Sequence, residues 1–262
     1  MMLSTVLLAK IAVTMLAVVG LSLIAEHLSA RLAGILAGYP HGIAIVLYFI
    51  GIEQGVDFAA KASIYAIGGL GANMLLAYVY HRLCRAPGLG DVLLAAAGGL
   101  MAFLAFAALL NRLHISQLTA AAITLAMIAA ALLLLRRAVN VKVVKGVGIS
   151  HLDVLMRALL ATAIVLGITG AAGAIGPDWS GLLSGFPVVT FPLLLIIHFH
   201  HGPAPIATMV KNYPLGLISL LVFTLTVSLA FPALGMNWGT AAGFAAATLY
   251  LILLAPLVRK LS

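Results

Sequence analysis

The chain has 262 residues, 64% hydrophobic and only 8% charged, with a formal net charge of +8, and its mean hydropathy is +1.23. Soluble domains run nearer about 45–50% apolar and about 25% charged residues, so a water-soluble globular fold is excluded. A disulfide framework and a CxxC metal site are excluded as well, because Cys84 is the single cysteine.

Apolar stretches long enough for a hydrocarbon core about 30 Å thick recur along the chain. They lack the period-two alternation of barrel strands and read as helices. In chain order the predicted spans are Leu3–Ile24, Leu32–Ile52, Phe58–Tyr80, Val92–Leu110, Leu118–Leu135, Leu152–Ile175, Trp179–Phe199, Pro205–Leu229 and Trp238–Val258. The first lacks a basic n-region and a small-residue cleavage site, so it reads as a retained helix and not a signal peptide. With strict alternation one side collects Arg31, Arg82, Arg85, Arg136, Arg137, Lys142, Lys145, Lys211, Arg259 and Lys260, and the other only Lys61 and Arg112. That bias places the N-terminus outside and the C-terminus in the cytoplasm of an inner, plasma-type membrane. Eight spans would mix the two sets, which is the reason for keeping the fifth helix. The positive charge is thus a topology signal, and no nucleic-acid partner is implied.

An internal repeat organises these spans. Residues 33–55, AGILAGYPHGIAIVLYFIGIEQG, align without a gap on residues 180–202, SGLLSGFPVVTFPLLLIIHFHHG, at a constant offset of 147. Gly34 pairs with Gly181, Gly38 with Gly185, Tyr39 with Phe186, Pro40 with Pro187 and Gly55 with Gly202; further out, Gly20 pairs with Gly167, Gly69 with Gly216 and Lys10 with Arg157. The expected architecture is all-α, about nine transmembrane helices in a 4+1+4 arrangement. Residues 1–112 form one repeat, 113–147 a linker helix with a cytoplasmic loop, and 148–262 the second repeat. An odd number of crossings before the second copy inverts it in the membrane.

Pro40 and Pro187 fall several residues into their spans, each two residues after a glycine, and should break both helices there. Freed backbone groups are tolerated at membrane depth only against protein or a water-lined cavity, and paired broken helices in matching positions point to a transporter site. The ordinary alternative is that the glycines merely permit close helix crossing.

The pattern G-x-x-x-G-[FY]-P, followed fifteen residues later by Gly and preceded by a basic residue early in the helix before, resembles the small four-helix GlpM/YdgC membrane proteins. The resemblance covers about 50 residues of each half. It implies a four-helix unit that pairs antiparallel, fused here in tandem through one reversing helix, and it brings no substrate. Pro192, Pro203, Pro205 and the histidine cluster, all in the second half, depart from the pattern.

The candidate substrate-binding residues are Lys10, Gly38, Tyr39, Pro40 and His41 from the first repeat, with Arg157, Gly185, Phe186, Pro187 and Thr190 from the second. Lys10 and Arg157 are the charged pair related by the repeat; each can also snorkel to an interface. Two cations near two half-helix N-termini favour a small anionic solute or an anionic lipid headgroup. His41 is either a satisfied core group or a proton-coupling or ligand-binding one, and Thr190 either faces the break or bonds back to its own helix. His198, His200 and His201 are weak metal candidates, since their spacing does not place three imidazoles on one face and neither carboxylate nor Cys stands near them in sequence. Glu53, Gln54 and Asp57 read as a solvated rim.

Three functions follow in order of preference. A transporter or facilitator with a midplane site comes first. A passive channel is second, against which no ring of like polar residues forms a filter. A membrane enzyme is third, because no nucleophile or metal set beyond the HFHH stretch is visible. No cofactor is called for; the partners are the bilayer and the solute, and a homo-oligomer is compatible with the pattern.

Overall fold

The computed structural model describes residues 2–25, 38–113, 115–137 and 150–260, and within them it is helical with no strand. The helices are α1 (Met2–Ala25), α2 (His41–Gln54), α3 (Val56–Leu83), α4 (Leu89–Arg112), α5 (Gln117–Leu135), α6 (His151–Ser184), α7 (Thr190–His201) and α8 (Pro203–Lys260). Five of them, α3, α4, α5, α6 and α8, are long and apolar enough to cross a membrane. Gly34 and the first part of the second predicted span lie outside the described residues, as do Arg31, Lys142 and Lys145.

Local chemistry sets the helix ends. Ser116 caps α5, accepting from the Thr119 N–H at 3.3 Å. At α6 the sequence Ser-His-Leu-Asp forms a reciprocal capping box: Leu152 N–H donates to Ser150 Oγ at 3.3 Å and Ser150 N–H to Asp153 Oδ2 at 3.1 Å. Two helices are bent by single glycines at positive φ, α6 at Gly176 (φ 78°) and α8 at Gly235 (φ 74°). Pro177 follows Gly176, where a missing N–H costs nothing at the start of a new helical segment. The sixth and seventh predicted spans are therefore joined by one residue, and so are the eighth and ninth. The seventh is not continuous: it consists of residues 177–184 and α7, separated by residues 185–189.

α3 is the axis of the molecule, 78% buried over its most apolar window against 33% for α4 and 28% for α5. It packs on α4, α5, α6 and α8. α4 and α5 turn the other way, with Leu93, Met101, Leu104, Leu118, Leu125 and Leu133 exposed, as a lipid-facing surface requires. Where α6 crosses α3 the backbones touch: a methyl on Gly181 would strike the Ala62 carbonyl and lie 2.7 Å from Tyr65 Cβ, and one on Gly185 would lie 2.7 Å from Gly69 Cα. The G-x-x-x-G element is thus a close-crossing surface, as small residues provide in membranes, and it also leads into the break.

Candidate functional site at the paired helix breaks

Each break is built the same way. Around Pro40, His41 N–H donates to Tyr39 O at 2.8 Å and Ala44 N–H to Pro40 O at 3.0 Å; around Pro187, Val188 N–H donates to Phe186 O at 2.8 Å and Phe191 N–H to Pro187 O at 2.7 Å. These bonds correspond at the offset of 147. So do the positive-φ glycines Gly55 (φ 96°) with Gly202 (φ 70°), and Gly88 (φ 120°) with Gly235 (φ 74°). The breaks also dock reciprocally: Gly38 lies against the Gly216 backbone, and Gly185 against Gly69. Gly42 meets Val188 and Val189 between them, its added Cβ 3.1 Å from Val188 Cβ.

The N-termini of α2 and α7 therefore lie against each other where Gly42 meets Val188 and Val189, and neither carries a side-chain cap. Beside them is a cavity of about 20 Å³ lined by Tyr39, Gly42, Ile43, Leu70, Asn73, Gly185, Phe186, Pro187, Val188, Val189, Thr190, Tyr213 and Leu220, room for one water-sized occupant. Its polar wall is asymmetric. Tyr213 OH donates to Asn73 Oδ1 at 3.0 Å, and Asn73 Nδ2 donates to the Gly185 carbonyl at 2.9 Å. The Tyr213 hydroxyl also bonds Thr190. Asn73 and Tyr213 were not singled out in the sequence; a lone Asn in the apolar GGLGANM stretch was the available signal, since burying an amide in hydrocarbon demands a partner.

Of the expected residues, Tyr39, Gly185, Phe186, Pro187 and Thr190 line this cavity, whereas Lys10, Gly38, Pro40, His41 and Arg157 do not. Gly38 is a packing contact and Pro40 the residue ahead of α2. His41 packs on Tyr39 with ring centroids 4.6 Å apart and the planes tilted by 52°, and it lines a second, largely apolar cavity of about 280 Å³ with Val13, Ala17, Tyr48, Phe49, Thr240 and Phe244. Lys10 is not a free cation: its Nζ is 2.7 Å from Glu53 Oε1 and 2.7 Å from Thr169 Oγ1. Glu53 is exposed, as are Gln54 and Asp57, and it is also an ion-pair partner within the fold. Arg157 is 1% exposed, with Asp153 as its nearby charge, and its Nε and Nη1 have no hydrogen-bond partner among the described residues.

The three histidines part company. His200 Nε2 meets Asp153 Oδ1 at 3.1 Å on the surface, while His198 is fully buried and bonded to Tyr80 and Asp91. Carboxylates thus stand beside both, although none is near in sequence. Cys84 lies at this second cluster; burial, and then the Asp91 charge, push its thiol up to about 12.

Long apolar helices around a buried polar break define the class, a helical membrane protein. The chain matches no family model, no curated protein and no solved structure.

Proposed function

We propose that the chain is a membrane carrier for a small anionic solute or an anionic headgroup, working by alternating access around the two broken helices. The observation that carries this is the meeting of two uncapped helix N-termini, each the positive end of a dipole, beside a cavity whose polar groups are Asn73, Thr190 and Tyr213. Two like dipole ends at close range repel unless negative charge lies between them. In this reading the protein has nine crossings in a 4+1+4 order, two GlpM/YdgC-like units of opposite orientation in an inner membrane. The matched turn bonds, the matched positive-φ glycines and the reciprocal glycine contacts support it. The small cavity corresponds to a closed state, so solute entry requires the halves to move.

The test is flux into liposomes carrying the purified chain, with a panel of labelled inorganic and carboxylate anions. A carrier gives saturable uptake stimulated by unlabelled anion on the far side. Tyr213→Phe, which removes the hydroxyl that holds Asn73 and Thr190 at the cavity wall, should weaken apparent affinity roughly tenfold, the worth of about 1.4 kcal/mol. Unsaturable flux without trans-stimulation would establish a channel instead, and flux no greater than in empty liposomes for every anion would end the reading.

A further inference from the structure

The cluster below α7 is independent of the breaks. Cys84 ends α3, Asp91 opens α4 and His198 belongs to the last turn of α7, and one ligand atom from each lies within 4.8 Å of the others. Cys84 is 7% exposed and His198 0%; the Asp91 side chain, 18% exposed, leaves an entry from water. The loop between α3 and α4 shapes the cluster, because Asp91 Oδ2 accepts from the N–H groups of Arg85 at 2.8 Å and Ala86 at 3.2 Å, fixing the carboxylate.

The imidazole is held as a metal ligand is held. Tyr80 OH anchors Nδ1 at 2.9 Å, so Nε2 is directed at Asp91 Oδ2, 3.0 Å away, and at the Ala86 carbonyl, 2.9 Å away. A ligating histidine characteristically has its other ring nitrogen tied in this way. One N–H cannot serve two acceptors well, and the Cys84 sulfur adds a third electron-rich atom at the same point. An imidazole nitrogen, a carboxylate oxygen and a sulfur thus converge on one point that opens to water at Asp91.

The matching place in the other half shows that the fold does not need these groups. At the offset of 147 the counterparts of Tyr80, Cys84, Asp91 and His198 are Val227, Phe231, Trp238 and Gly51. There Met236 packs directly on Gly51, and apolar packing suffices.

We propose that Cys84 Sγ, Asp91 carboxylate and His198 Nε2 bind one zinc-type divalent cation at the predicted cytoplasmic edge of the membrane. The mixed sulfur, nitrogen and oxygen set suits zinc. One thiolate, one carboxylate and one neutral imidazole balance a double positive charge, as a low-dielectric edge demands. On binding, the thiol proton leaves to solvent, and the imidazole changes tautomer: Nε2 gives up its proton to the solvent and Nδ1 takes one up, then donating it to the Tyr80 oxygen. The Ala86 carbonyl or a water completes the set.

The experiment titrates Co²⁺ into the full chain in detergent after chelator treatment. Because Cys84 is the only cysteine, a near-ultraviolet thiolate-to-cobalt band reports on it alone. The expected result is a band that saturates at one equivalent and is displaced by Zn²⁺. Cys84→Ser should abolish it, Asp91→Asn should weaken binding tenfold or more, and the His200→Ala, His201→Ala double variant should leave it intact. Absence of the band in the folded wild-type chain overturns the proposal, whatever the variants do. So does a band that survives Asp91→Asn at full affinity or vanishes in the double variant.

Discussion

Substituting Gly185 by alanine tests the packing logic most directly. The new methyl would meet the Gly69 backbone, with Cα at 2.7 Å, where ordinary contact begins at 3.4 Å. Neither side can yield by a rotamer change, so the backbones must part by roughly 0.5–1 Å, forfeiting a quarter to a half of each dispersion well along the contact. Overpacking of this kind costs about 1–3 kcal/mol. The displacement also stretches the 2.9 Å bond from Asn73 Nδ2 to the Gly185 carbonyl, worth about 0.5–1.5 kcal/mol net. The total is on the order of 2–4 kcal/mol. Gly38→Ala meets the Gly216 backbone still more closely, while Leu220, standing where the counterpart of Asn73 would be, offers no hydrogen bond to lose, so its cost should fall in the same range. Gly167→Ala, with no atom within 4 Å of the added carbon, is the control and should lose nothing. SDS-driven unfolding in mixed micelles gives the three values. If Gly185→Ala unfolds with the control, the backbone contact is not as tight as described and the reasoning fails.

Lys10→Met should destabilise the chain by less than the roughly 3–5 kcal/mol of a fully buried pair, since the Glu53 side chain is 23% exposed; Lys10→Met with Glu53→Gln should recover most of the loss in the same unfolding assay, and additive losses would deny the pair. Single cysteines placed in a Cys84→Ala background should label from outside at the N-terminus and from the cytoplasm at the C-terminus and at 136–150; both termini labelling from one side would defeat the inverted reading. Native Cys84 in metal-free protein should resist maleimide at neutral pH, because its raised pKa of about 12 leaves little thiolate, and should label once denatured; rapid native labelling, read by mass shift, would contradict the buried placement.

What the sequence could convey depended on whether the cause was local. The helix breaks were legible because Pro187 and Gly185 act on their own backbone, and the helical class was legible from span length. The fate of Lys10 was not: Glu53 comes from a different helix and Thr169 from the other half, so a residue read as an open cation is closed by packing. Asn73 and Tyr213 carry no periodicity and gain meaning only when α3 and α8 bring them together. The Cys84, Asp91 and His198 cluster is hidden for the same reason, since more than a hundred residues separate His198 from its partners.

The glycine contacts have a mechanical consequence. Gly38 on Gly216 and Gly185 on Gly69 bring bare backbones together, with no side-chain ridges to interlock. Two such bearing points define a line through the protein. In the proposed carrier, rotation of one half against the other about that line would keep both close contacts seated while contacts away from it open or close.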